Sequence, residues 1–373
     1  MISGHNSNKA PSVLKVVHKH GPCSKFHKSS KTSTTTSDEK YHAQILKQDH
    51  ARVNSIHSRL NHNNNNNRMK DPLTQSAATT LPAKSGIVIG SPNYIVTVGL
   101  GTPAKQLSLI FDTGSDLTWT QCQPCAGSHP PASNTTAPPP PPPASTPPDN
   151  EGLFNGSAGL LGLGRSSISL VEQTANKYNR LFSYCLPSTS SSTGHLTFGH
   201  GGSANGVQFT KLITSSQSES FYGLGLAGIK VGGRQLSIAP SVFSSSGTII
   251  DSGTVITRLP ATAYASLRGA FREAMKNYTL TKSFSLLDTC YDISGLNTFS
   301  YPEIAFVFGD GLTVDLDATG ILFLISPSQV CLAFAGNMDD SDFGIIGNVQ
   351  QKRLEVVYDV VGGKVGFGPA GCH

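Results

Sequence analysis

Two short stretches place a carboxylate where the surrounding pattern calls for burial. In "LIFDTGSDL", residues 109–117, Ile110 and Phe111 lead directly into Asp112; in "TIIDSGTVI", residues 248–256, Ile249 and Ile250 lead into Asp251. An unpaired buried charge is costly, and a lone Asp-Thr-Gly is ordinary turn chemistry. The duplication changes the meaning. Each copy reads apolar, apolar, Asp, Thr or Ser, Gly, Ser or Thr, and each is followed downstream by two apolar residues and a glycine, Leu160-Leu161-Gly162 and Ile345-Ile346-Gly347. Two matching β halves facing each other would bring Asp112 and Asp251 together on crossing loops at the floor of a cleft. Like charges that close cannot both ionise, so such a pair holds one proton, as is established for aspartate dyads. One member is then a base and the other an acid. That suffices to activate water against a peptide carbonyl without a covalent intermediate, and the expectation is that no metal or other cofactor is used.

The elements that would carry these loops are strands. The chain has 373 residues with 37% apolar and 14% charged content, 38 glycines and 23 prolines, enough for a large core split into two lobes. Ser/Thr-rich joints separate short apolar runs, and from "NYIVTVGLGTPAKQLSLIFDTGS" onward the text alternates with period two. Short helices are expected around "SLVEQTANKY" and over "LPATAYASLRGAFREAMKNY" (259–278), where Leu267, Ala270, Phe271 and Met275 share one side. Strands are expected between the first of these helices and Gly247.

Residues 1–84 differ from the rest. They hold 13 Lys/Arg against 4 Asp/Glu and eight of the twelve histidines, which leaves residues 85–373 with 15 basic against 19 acidic side chains. A basic segment can serve nucleic acid, but this one has few aromatics and no recognisable module, so no nucleic-acid partner is expected. Within it, residues 39–60 place Ile45, Gln48/Asp49, Val53, Ile56 and Leu60 near helical spacing with a basic outer face. The Asn-rich run that follows, 61–75, reads as a mobile joint. The segment 124–150, with ten prolines between 130 and 148, cannot enter a sheet and reads as a polyproline or disordered tether. No run reaches transmembrane length, so no membrane partner is expected. The opening "MISGHNSNKA" has no apolar stretch of a secretory signal, whereas seven cysteines and sequons at Asn134, Asn155 and Asn277 suit an oxidising compartment.

Both Asp loops, "SPNYIVTVGLGTP", "LFSYCLPS", the closing "IIGNVQQKRLEVVYD" and a leader like "VVHKHGPCSK" together resemble the pepsin-like aspartic proteases, in particular the plant nepenthesin-like branch. The resemblance covers nearly the whole chain. It implies a mainly β, bilobal fold with a few short helices, and three parts: a basic, His-rich leader or prosegment at 1–84, an N-terminal lobe at 85–185 that includes the tether, and a C-terminal lobe at 186–373. It implies an aspartic-type endopeptidase acting on polypeptides, extracellular or vacuolar, and monomeric. Asp112 and Asp251 would be catalytic. Thr113 and Ser252 would link the loops, Gly114 and Gly253 would complete them, and Ser115 and Thr254 would orient the outer carboxylate oxygens. Trp119 either packs against a flap or is ordinary core. Cys290 would pair with Cys331 and Cys185 with Cys372; Cys23 belongs to the leader, and Cys122 and Cys125 are left as a lone Cys-x-x-Cys, a poor zinc site.

The repeat also says what is missing. Asp112 to Gly162 spans 50 positions, whereas Asp251 to Gly347 spans 96. The first lobe is short by several strands, and no Tyr-Gly-Asp flap motif lies between 113 and 160. The loss bears on activity, and it leaves open an alternative class of function, a non-catalytic pepsin-fold binding or inhibitor protein.

Overall fold

A computed structural model describes residues 12–18, 35–66, 94–120, 157–189, 191–199, 206–214, 219–296, 298–369 and 371–372. The tether, the flap region, Cys23, Cys122, Cys125, Asn134 and Asn155 lie outside them. The first half supplies β1 (Ser12–His18), β2 (Tyr94–Leu100), β3 (Lys105–Asp112), β4 (Trp119–Thr120), β5 (Gly159–Gly162), β6 (Leu181–Cys185) and β7 (Thr193–Phe198). One fifteen-stranded sheet runs from β4 through β5, β3, β2, β1, β7 and β6 into Glu355–Asp359 and Lys364–Gly368. It continues through the strands of the second half.

The duplicated text is a duplicated structure. β3 lies parallel to β5, with Phe111 opposite Leu161 and Asp112 opposite Gly162. Thr248–Ile250 lies parallel to Gly344–Ile346, with Ile250 opposite Ile346. Parallel pairs are covered on both faces, which explains why these four segments read as unbroken apolar runs. Where the halves meet, Phe182 stacks on Tyr358 at 4.5 Å and Tyr222 meets Tyr358 edge-on, an aromatic core directly beneath the Asp loops.

The second half carries more. It adds two four-stranded sheets, one built on Leu226–Val231 and Ile304–Phe308, the other on Cys290–Asp292 and Gln329–Leu332. A helix over Ala261–Ala274 buries Ala263, Tyr264, Leu267 and Phe271; it starts after Pro260 and ends before Met275, shorter than the apolar spacing suggests. The segment before Gly247 is not all strand: Pro240–Ser244 is a helix with Pro at its first position, where the missing N–H costs nothing. The chain has disulfides between Cys290 and Cys331 and between Cys185 and Cys372, the second tying the C-terminus to β6.

The leader is integrated with this body. Its "SVLKVVH" forms β1, a strand not anticipated from the sequence, which lies antiparallel to both β2 and β7. The helix α1 (Thr35–Asn66) extends through Asn61–Asn66, so the expected joint begins later than position 61. Asparagine is a weak helix former, but adding residues to an existing helix avoids the cost of nucleation. Ile45 and Leu46 pack with Val255, Ile256 and Leu287, and Val53, Ile56 and Leu60 pack with Phe221, Phe343 and Ile345.

Candidate active site

Asp112 and Asp251 stand at the ends of buried parallel strands, each in the tight turn that its Asp-Thr/Ser-Gly sequence dictates. Both are fully buried. Asp112 Oδ1 accepts from the Gly114 N–H at 3.0 Å, and Oδ2 from the Ser115 hydroxyl at 2.6 Å. Asp251 Oδ1 accepts from the Gly253 N–H at 2.9 Å, and Oδ2 from the Thr254 hydroxyl at 2.6 Å. The loops are joined reciprocally. The Thr113 N–H donates to Ser252 Oγ at 3.1 Å, and the Ser252 N–H to Thr113 Oγ1 at 2.9 Å. The structure thus brings together all eight residues that the sequence singled out at the two loops.

The glycines are there for closeness. A Cβ on Gly114 would stand 2.6 Å from Asp251 Oδ1, and one on Gly253 would collide with Asp112 Oδ1. Any side chain at either place would push the carboxylates apart. A second matched pair holds the neighbouring strands: the Gly162 N–H donates to Thr118 Oγ1 at 3.1 Å, and the Gly347 N–H to Thr257 Oγ1 at 3.0 Å. Each threonine lies six residues after its aspartate. Trp119 follows in β4, half-buried, with its backbone paired opposite Leu160.

The feature that sequence reasoning missed is Arg52. From the middle of α1 its guanidinium enters between the carboxylates and bonds to all four oxygens. Nη2 donates to Asp112 Oδ1 at 2.6 Å, Nη1 to Asp112 Oδ2 at 3.0 Å, and Nε to Asp251 Oδ2 at 3.0 Å; Nη2 also reaches Asp251 Oδ1 at 3.0 Å. Arg52 is 3% exposed. One turn earlier on the same face, Asp49 accepts from the Val255 N–H at 2.6 Å and from Arg258 at 2.8 Å. Five residues after Arg52, His57 meets the Phe343 carbonyl at 2.9 Å. The expected basic outer face is therefore only part of the helix's charge, because its decisive arginine points inward. The signal was present as two charged residues, 49 and 52, set into the apolar stripe formed by 45, 46, 53, 56 and 60.

This packing splits the two carboxylates. Burial pushes Asp112 up, but the Arg52 charge and the Ser115 hydrogen bond outweigh it and hold Asp112 below the ordinary range. Asp251 is held above that range by burial and by the charge of Asp112, against the pull of Arg52. Burial would lower Arg52, yet the two carboxylates raise it, so it stays charged. Burial lowers His57, with the nearby Arg258 adding to the effect and Asp342 and the Phe343 carbonyl opposing it. The two carboxylates thus differ in proton affinity, with a cation fixed between them. Among the described residues no cluster of three or more His, Cys, Asp or Glu could hold a metal ion.

The sequence model described as xylanase inhibitor N-terminal matches residues 94–148 and 143–200, and the one described as xylanase inhibitor C-terminal matches 221–369. An aspartyl protease family protein of Arabidopsis thaliana is 45% identical, covering 97% of this chain and 87% of the relative. The aspartyl protease AED1 of the same plant is 45% identical over 100% of this chain and 89% of the relative. The aspartic proteinase nepenthesin-2 of Nepenthes gracilis is 31% identical over 80% of this chain and 83% of its own. Among solved structures, edgp superposes with a TM-score of 0.61 at 20% identity, covering 74% of this chain and 91% of its own. Basic 7S globulin from soybean does so at 0.56 and 19%, with the same coverage. These two likenesses concern the fold.

Proposed function

This chain belongs to the plant branch of the pepsin-like aspartyl proteases and is an aspartic-type endopeptidase; on that premise we propose that Asp112 and Asp251 are its catalytic pair and that residues 1–84 keep it latent, with Arg52 as the block. The observation that carries this reading is the guanidinium bonded to all four carboxylate oxygens. While it is there, neither carboxylate can take a proton from water or give one to a peptide carbonyl.

Once α1 leaves, the pair takes up one proton and shares it between its members. The ionised carboxylate removes a proton from a water attacking the scissile carbonyl, while the protonated one donates to the carbonyl oxygen. The tetrahedral diol then collapses: one of its hydroxyls returns a proton to the second carboxylate, the C–N bond breaks, and the first carboxyl gives its proton to the leaving amine. Ser115 and Thr254 hold the outer oxygens so that the inner ones face the reacting atoms. Thr113 and Ser252 keep the loops at fixed separation.

Acid is the trigger, and the sign follows from the shifts. The Arg52 charge lowers both carboxylates, so withdrawing it lets the pair take up a proton. His57 is half-buried with its proton affinity lowered, so freeing it also takes up a proton below its ordinary value of 6.5. Release that consumes protons is favoured as pH falls. The burial that raises both carboxylates works against it. The docked form is therefore expected to weaken from about pH 6.5 downward, and most steeply toward the ordinary carboxylate value near 3.8.

The three parts 1–84, 85–185 and 186–373 complete the reading, with polypeptides as substrates, a monomer as the working unit and a secreted or vacuolar location, which suits the two disulfides. Among the described residues no helix is long and apolar enough to cross a membrane. We infer as well that the first lobe is shortened, with no Tyr-Gly-Asp flap motif between 113 and 160, and that this lowers activity. Supporting this are the unequal Asp-to-Gly spans and an alignment with the Arabidopsis relative that extends over 424 positions, more than the 373 residues present here.

The test is acidification of the full-length protein. Cleavage of the leader near Leu81–Gly86 and peptide hydrolysis inhibited by a statine-type mimic are expected, both lost in Asp112→Asn and in Asp251→Asn, because neither partner can make both proton transfers. Hydrolysis that persists in either variant removes the dyad from the mechanism. A leader still docked and uncut at about pH 3.5, near the ordinary carboxylate values, removes the acid switch.

A further inference from the structure

Asp49 is as informative as Arg52, because of what it touches on the body. Its Oδ1 accepts from the Val255 N–H at 2.6 Å. Its Oδ2 accepts from the Ile256 N–H at 3.3 Å and from the Arg258 guanidinium at 2.8 Å. Asp49 is fully buried and Arg258 is 3% exposed. All three donors belong to the segment that follows Asp251. Arg258 sits in the strand Thr257–Leu259, whose backbone is paired on one side with Ala335 and on the other with Ile345. Its Nη1 is anchored at 2.7 Å on the Ile256 carbonyl, which turns the fork toward Asp49.

From this geometry we infer that Arg258, with the Val255 and Ile256 N–H groups, is a carboxylate-binding subsite of the leader-free enzyme, and that it selects substrates with a carboxylate close to the scissile bond. The inference rests on the reading that α1 leaves the cleft. Asp49 then stands in for a substrate carboxylate, as Arg52 stands on the dyad. When the leader goes, a guanidinium fixed in a sheet and two oriented N–H groups lose their only ionic partner among the described contacts, and a group that binds there regains charge-assisted bonds at little ordering cost.

The distance sets the position. Asp49 and Arg52 are three helical residues apart, about 4.5 Å along the axis, whereas an extended peptide advances about 3.3 Å per residue. The subsite thus lies one or two residues from the bond at the dyad. The first half has no equivalent: the position seven residues after Asp112 is Trp119, where the second half has Arg258 seven after Asp251. Net charge would predict the reverse preference, since residues 85–373 carry more acidic than basic side chains and would repel acidic peptides. The carboxylate can come from an Asp or Glu side chain or from the end of a chain, and blocked and free C-termini separate the two.

The experiment uses full-length protein activated by acid, with loss of the leader verified on a gel, and peptides assayed at about pH 5.5, where Asp and Glu side chains are ionised. One series, blocked at both ends, carries Asp or Glu, against Asn or Gln, at each of the two positions either side of the scissile bond. A second series carries a free C-terminus at the same distances. At one position, or for the free end, kcat/KM should exceed the amide counterpart by at least about tenfold, the scale of a single charge-assisted contact. Arg258→Met should bring that ratio to about one, and Arg258→Lys should restore part of it. The ratio should also shrink as the substrate carboxylate protonates below pH 4. If the leader-free protein cuts no peptide, the same ratio is read as binding, by fluorescence anisotropy. Equal handling of acid and amide by the leader-free wild type overturns the subsite, as does a preference that survives Arg258→Met. A leader that never leaves overturns the latency reading and the subsite with it, and the gel distinguishes that outcome from the others.

Discussion

The two halves of the molecule hold the same loop in different surroundings. At the aspartates they are nearly superimposable in chemistry: a glycine N–H at 3.0 and 2.9 Å, a hydroxyl at 2.6 Å in both, and a threonine six residues on that ties down the neighbouring glycine at 3.1 and 3.0 Å. Beyond the loops the likeness ends. The second half adds two four-stranded sheets, a fourteen-residue helix and the Cys290–Cys331 disulfide, while the described strands of the first half all belong to the one long sheet. The leader is also used unequally. Its strand completes the first half between β2 and β7, and its helix leans on the second half through Asp49, Arg258 and the apolar contacts around Val255 and Phe343. The two halves thus share one loop geometry and differ in what surrounds it.

Lengthening the first half, which we propose is shortened, should have the largest effect on that comparison. Replacing the segment between Cys125 and Gly152 with a complete flap-bearing one should raise hydrolysis of a denatured protein at acid pH by about a hundredfold or more, since a flap orients the carbonyl and excludes water. Equal rates for the two proteins would make the shorter lobe functionally neutral.

The matched threonines should give a smaller and unequal response. Thr257 is fully buried, and its hydroxyl both accepts from Gly347 and donates to Gln350 at 2.6 Å; Thr118 is half-buried. Thr257→Val leaves buried groups unpaired and should cost about 1–3 kcal/mol, whereas Thr118→Val, which water can partly compensate, should cost about 1 kcal/mol or less. Denaturant melts of the two variants check the order. A larger loss at Thr118 would mean that the first half carries more of the stability than its size suggests.

The dyad was legible because it is written twice. Both Asp loops, the apolar-apolar-Gly partners and the mainly β body followed from the repeat and the period-two text. Even Thr118 and Thr257 were within reach, since "DTGSDLT" and "DSGTVIT" agree at their last residue as well. The role of α1 was not. A lone arginine in a basic helix reads as solvated, and only the fold shows that its turn faces two carboxylates more than fifty residues away in the chain. β1 escaped for a related reason: a seven-residue stretch decides nothing until β2 and β7 supply both edges. Long-range partners, not local propensity, determine what such segments become.

The most direct measurement is the activity of full-length Arg52→Ala with its leader intact. At a pH of about 6, where the wild type is held closed, the variant should bind a statine-type inhibitor and cleave peptide at least about tenfold faster than wild type before any leader is cut, because the docked helix no longer spans the two carboxylates. Arg52→Lys, which keeps a charge without the fork, should fall between them. An Arg52→Ala protein as silent as the wild type, with an accessible dyad verified after acid activation, would contradict the claim that Arg52 holds this enzyme latent.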